Sequence, residues 1–380
     1  MLKARGARCA AAPPTEIAER RLWHDERRNT PCLGCWACPE RKVCGTLAVA
    51  AGITSCLDLC CGSPASCDKP CRNHPDYALR VREVGGFDLA DVPRAPVLAA
   101  PALPASVPVI FHGNRRAVLI GPAPVALPLY RMFRRRTGEM KFNTHEELCA
   151  AFRLVPGTPI VLTGTDQDPP LERWWGLQSR RRGIVRALPA LGVVMSTTPN
   201  FSLFGDVPRH VDLHAIKRIG LVHAEFLQGG LPCALHVNGR TDTDFRNWGV
   251  YVRARPEVTH LAYEFTTGTA RAARRNYHLE NLIGVAAAAG RPLGLLVRGG
   301  IDLLPQLRAA FATVTVLETM TFFKTMMRQR IVLREDGTAR WRSAPTPPGV
   351  PIDPLFAVNR AGVQNWIEGP LSPSPMTAEG

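Results

Sequence analysis

From residue 109 onward the chain alternates short β-branched runs with longer stretches of helical periodicity, and that alternation limits the fold more than any other feature. Parallel strands need a crossover of a dozen or more residues between them, which a helix supplies, so the pattern builds a mainly parallel sheet covered by helices. The candidate strands are VIFHG or AVLIG within 109–121, PIVLTGTD at 159–166, VVMSTTP at 193–199, PCALHVNG at 232–239, HLAYEFTTG at 260–268, LGLLVRGG at 293–300 and TVTVLET at 313–319. IVLRE at 331–335 reads as a closing or edge strand. Between them, Ile216, Ile219, His223, Phe226 and Leu227 recur at helical spacing before Gly229 and Gly230, and Tyr277, Leu279, Ile283 and Val285 precede Gly290. A count near eight with one helix per strand predicts an α/β fold, a (β/α)8 TIM-barrel-like domain over 109–342, with a doubly wound parallel sheet as the alternative. No GxGxxG follows the early strands and no GxxxxGK[ST] occurs, which disfavours dinucleotide and P-loop chemistry.

Nine of the twelve cysteines crowd into a module at 31–80, behind a basic lead-in at 1–30. Cys32, Cys35, Cys38 and Cys44 form one group; Cys56, Cys60, Cys61, Cys67 and Cys71 form a second, one residue more than a single site needs. Three thiolates within seven residues converge only on an ion or cluster that the loop wraps, and CxxCxxC is a wrap common around a [4Fe–4S] cube, whereas Zn2+ usually takes two separated pairs. The expected cofactor is therefore a [4Fe–4S] cluster, with Zn2+ as the alternative. Disulfides belong to small exported chains; this one has 380 residues, no apolar h-region near its start, and no membrane-span candidate, because Pro101, Pro104 and Pro108 interrupt its longest apolar stretch. The expectation is a cytoplasmic protein with no membrane partner. A Pro/Ala-rich linker is read at 81–108 and a loose Pro/Ser-rich tail at 343–380.

A formal charge of +15 and a pI near 9.7 favour a polyanion, and nucleic acid, DNA or RNA, is the expected partner. Two arginine runs concentrate the charge: Arg134, Arg135 and Arg136, then Arg180, Arg181 and Arg182. Trp174 and Trp175 precede the second run and offer stacking surfaces unless they face the core.

In a parallel barrel the active face is built from strand C-termini, which singles out Asp166 and Asp168, Asn200 with Asp206, Asn238, Glu264 and Arg298. Glu264, between Tyr263 and Phe265, is the sharpest of these, since partial desolvation raises a carboxyl pKa into the range of general acid–base work. A second carboxylate at the mouth, Asp166 or Asp168, suits cleavage or exchange of a glycosidic bond, and Arg298 suits a phosphate. His236, Cys149 and Cys233 read as buried core residues.

Residues Pro199, Asn200, Phe201, Ser202, Asp206, Pro208, Gly229, Gly230 and Gly299, in this order, resemble the DUF4417 family of bacterial and phage proteins over roughly residues 160–330. That resemblance implies a setting on phages or mobile elements and no particular catalytic role. A weaker likeness, of architecture and charge, is to queuine tRNA-ribosyltransferase-like barrels, which implies base exchange through a carboxylate; their CxCxxC zinc motif is absent here. The combined expectation is a metal-containing enzyme that modifies or exchanges a nucleic-acid base, the alternative being a non-catalytic nucleic-acid-binding or redox-sensing protein.

Overall fold

The computed structural model describes residues 77–369 except 135, 205–208, 267–271 and 336. The cysteine module, Arg135 and Asp206 lie outside the described residues, and so do the first 76 residues as a whole.

Eight parallel strands form the centre: β1 (Ser106–Pro108), β2 (Val125–Pro128), β3 (Ile160–Thr163), β4 (Val193–Thr197), β5 (Cys233–His236), β6 (His260–Glu264), β7 (Gly294–Arg298) and β8 (Thr313–Glu318). Their order, β1-β8-β7-β6-β5-β4-β3-β2, leaves β1 and β2 at the two ends, and a parallel bridge between Val109 and Ala126 brings those ends together. Ile110 N donates to Ala126 O across this seam at 2.8 Å. The sheet is thus a nearly closed barrel rather than the open, doubly wound sheet held as the alternative.

Alternation explains how eight short strands make one core. Val107, Val109, Ala126, Val161, Met195, Ala234, Ala262, Leu296 and Leu317 point into the barrel and pack as one apolar plug. Their neighbours in sequence, such as Leu162, Leu235, Tyr263, Leu295 and Val316, face outward and join the much larger layer beneath the helices. Two residues beyond the plug, the inward positions become polar: Thr163, Thr197, His236, Glu264 and Arg298.

The outer helices are α1 (Tyr77–Val84), α2 (His145–Phe152), α3 (Asp168–Gly176), α4 (Arg180–Ala187), α5 (Arg209–Gln228), α6 (Asp242–Arg253), α7 (Ala272–Ala289), α8 (Leu304–Ala310), α9 (Met320–Met326) and α10 (Asp353–Glu368). Local signals set several of their starts. Thr144 caps α2 by accepting from Glu147 N, and Thr241 with Asp244 forms a reciprocal capping box on α6.

Three segments differ from the sequence reading. The stretch 109–121 was expected to hold one strand; two strands, β1 and β2, occupy Ser106–Pro128, and β1 begins inside the segment read as linker. Pro108 is tolerated there because β1 is short and ends on it. The run at 331–335 does not close the barrel: it belongs to β9 (Gln329–Leu333), which pairs antiparallel with β10 (Ala339–Ser343) in a separate hairpin. The segment read as a loose tail carries α10, whose Leu355, Phe356, Val363 and Ile367 are buried against the rest of the fold.

Candidate active site

The C-terminal mouth of the barrel gathers the inward polar ring. Glu264 ends β6 directly opposite Arg298, which ends β7. Arg298 Nη1 lies 3.3 Å from Glu264 Oε2, while the Thr266 hydroxyl donates to Oε1. Oε2 is buried without a hydrogen bond of its own. Desolvation pushes the Glu264 pKa above the ordinary carboxylate value; Arg298 and the Thr165 hydroxyl pull against that shift without cancelling it.

His236, from β5, sits one layer lower, level with Ala262. Its Nδ1 is 2.6 Å from Thr198 O, and because a carbonyl can only accept, Nδ1 carries the proton and Nε2 carries the lone pair. Burial, followed by the charge of Arg298, lowers its pKa to about 4, so the ring is neutral at physiological pH. A neutral imidazole acceptor and a carboxyl of raised pKa thus share one face of the barrel interior. The sequence reading of His236 as a buried core residue agrees with its burial and its bond to Thr198, but left out that it faces the barrel interior. Counting in twos from Ala234 would have placed it on the inward ring, the signal that was available.

Rim loops are pinned by specific contacts. Gly164 has no room for a side chain, since a Cβ would stand 2.3 Å from Thr198 O, and its N–H donates to Thr197 Oγ1 at 2.9 Å. Tyr130 donates to Gly164 O at 2.9 Å. Asn238 Nδ2 donates to Asn200 Oδ1 at 3.1 Å, which brings these two predicted residues together across β4 and β5. Asp166 and Asp168 are exposed on the rim: Asp166 accepts from Gln167 N, and Asp168, at the start of α3, accepts from Ser202 Oγ at 2.5 Å.

Beside this mouth a cavity of about 310 Å3 is lined by Thr266, Arg298, Gly300, Asp302, Glu318 and Trp366, among others. Glu318 points away from the barrel axis and accepts from Thr321 N at 2.8 Å; full burial raises its pKa to about 7. Its place at a strand C-terminus is legible in the sequence, but its outward orientation follows only from strand register.

The arginine runs separate by role. Arg134, Arg136, Arg180 and Arg182 are exposed. Arg181 turns inward, where it grips Glu225 through two 2.8 Å bonds and stacks over Trp175 at 4.4 Å. Trp174 is fully buried against Phe133 and Phe226, and Trp175 donates to Glu83, so neither ring is presented as an open stacking platform. Arg180 Nη1 donates to Thr137 O at 3.1 Å, which joins the two runs on one surface.

Cys149 and Cys233 are buried, and desolvation raises both thiol pKa values. Among the described residues no three His, Cys, Asp or Glu side chains stand together as a metal-holding group, and no helix is long and apolar enough to cross a membrane. A scan of protein-family models and a search of curated proteins found no match to this chain.

Proposed function

We propose that the chain is an enzyme acting on nucleic acid, modifying or exchanging a base at the barrel mouth. The observation that carries this reading is Glu264: an inward carboxylate at a strand terminus, desolvated, with one oxygen left without a hydrogen bond and an arginine fixed beside it. A preorganised carboxylate in a dry site stabilises positive charge developing on a substrate or takes its proton, without solvent having to reorganise. Both demands arise when the bond between sugar and base is loosened.

In this mechanism Glu264 acts in its ionised form and Arg298 holds it there. His236 offers its Nε2 lone pair as a second acceptor one layer below, and Asn200 and Asn238 provide amide groups at the rim for reading a base edge. A base within a duplex must be extruded to reach these groups. The net charge of +15 supports the polyanionic substrate. The cysteine module is proposed to hold a [4Fe–4S] cluster, or Zn2+, on its ligand spacing alone; such a site would order the module. The cytoplasmic setting and the phage or mobile-element context belong to the same proposal.

The test is incubation of the anaerobically purified protein with DNA and with RNA, followed by digestion to nucleosides and mass spectrometry. The expected result is a base altered or released by the parent protein and not by Glu264→Gln, with oligonucleotide affinity unchanged. Binding without any chemical change in either nucleic acid, by a metal-replete parent, would leave the non-catalytic alternative standing.

A further inference from the structure

The hairpin β9–β10 is an insertion on the barrel, and its two faces differ sharply. Ile331, Leu333, Ala339 and Trp341 share one face, on which Ile331 is buried against the core and Trp341 lies under Lys324. Alternation puts Arg330 and Arg334 of β9 and its turn, and Arg340 and Arg342 of β10, on the opposite face, where all four are exposed. The half-buried Val332 and, opposite Arg334, the exposed Thr338 share this face with them.

Arg330 and Arg342 are directly opposed across the ladder. Like charges facing each other across an antiparallel pair destabilise it, so this arrangement is unfavourable for the hairpin by itself. No described carboxylate forms an ion pair with Arg330, Arg334 or Arg342. Two acidic residues sit in the turn: Glu335, which is exposed, and Asp336, which lies outside the described residues. An anion placed over the ribbon would remove the repulsion.

We infer that this arginine face binds the phosphate backbone of a nucleic acid and holds it next to the barrel mouth. Position supports the assignment: Trp366 Nε1 donates to Gly337 O in the hairpin turn at 3.1 Å, and Trp366 also lines the mouth cavity with Arg298 and Gly300. A two-stranded ribbon has the width to lie in the major groove of a duplex. A membrane surface fits less well, because interfacial binding needs large apolar side chains beside the basic ones, and the exposed Leu333 lies on the other face of the ribbon. The inference rests on the nucleic-acid reading above and assigns its docking surface.

Fluorescence anisotropy of the full-length protein with a labelled 30-mer, single-stranded and duplex, over a series of NaCl concentrations tests it. Each phosphate contact contributes about 0.7–0.9 to the slope of log K against log salt, so the variant R330A/R334A/R340A/R342A should flatten that slope by about three. The thermal midpoint of this variant should be equal or higher, since opposed charges are removed. The control R82A/R173A/R186A/R253A loses the same charge from exposed arginines on α1, α3, α4 and α6 and should change the slope far less. An unchanged slope in the hairpin variant, or equal flattening in both variants, overturns the inference; so does tighter arginine-dependent binding to phosphatidylserine vesicles than to either oligonucleotide. If the hairpin effect holds while Glu264→Gln and parent are equally inert in the nucleoside assay, the docking surface stands and the catalytic reading falls.

Discussion

Glu264 and Glu318 are carboxyl groups near the same end of the barrel, one facing the interior and one facing the helices, and the difference sets what each can do. In the proposed reaction Glu264 acts in its charged form, so activity should fall as pH drops through its raised pKa. Replacing Arg298 by Gln removes the main influence holding that pKa down. The acid limb of the rate profile should therefore move to higher pH, with a lower maximal rate, as read from initial rates across pH 5–8. Glu318 has no visible need of charge. Its folded pKa of about 7 exceeds the ordinary 4.5, so its stabilising contribution is complete below pH 4.5 and is lost as pH rises through 7. Glu318→Gln should accordingly stabilise the protein at pH 8, by at most about 3 kcal/mol, and show no gain below pH 4.5 in urea denaturation.

The element that the sequence concealed most completely is the assembly of hairpin and α10. IVLRE has the composition of a barrel strand, and nothing local distinguishes a strand that closes a sheet from one that pairs with its own hairpin partner. Asn359 makes the distinction in three dimensions. Fully buried on α10, it accepts from Ile331 N at 2.9 Å and donates to Gln329 O at 2.8 Å and Thr325 Oγ1 at 2.9 Å. One side chain thereby substitutes for a strand neighbour and ties β9 to α9 and α10. Asn359→Ala leaves a buried N–H and a buried carbonyl short of partners and should cost about 2–4 kcal/mol, measurable as a lower urea midpoint with unchanged m-value. By contrast, the strands from β3 to β8 were legible within a few residues, because each is an apolar run bounded by turn residues and separated from the next by a long helical pattern.

At the scale of the molecule, burial of histidines should govern acid stability. His214, His223, His236 and His278 all have pKa values lowered to about 4, each chiefly through desolvation. Unfolding returns them towards 6.5, so the unfolded chain binds more protons between pH 6.5 and 4, and stability falls as pH drops through that window. Glu264 and Glu318 act in the opposite sense, since their raised pKa values make them release protons on unfolding above pH 4.5. The four histidines outnumber the two carboxyls, so unfolding takes up protons near pH 5 and stability should fall from pH 6.5 to pH 5, as denaturant titrations at fixed ionic strength would show. A pH-independent stability across this range would mean that these rings are hydrated in the folded protein.

Strand and helix periodicity were enough to read an α/β fold with a parallel sheet and to name the polar residues at its strand ends. Periodicity is a local property, and residues that end parallel strands must gather at one end of a barrel, so Asn200, Asn238, Glu264 and Arg298 could be named in advance. Which residues face inward together, and which charges already have partners, depends on the folded arrangement. The inward turn of Arg181 onto Glu225, the tautomer of His236 fixed by Thr198, and the shared arginine face of β9 and β10 all depend on partners distant in sequence or on strand register. A side chain's chemistry is written in its residue type, but its ionisation and availability are set by the groups that folding brings within a few ångströms of it.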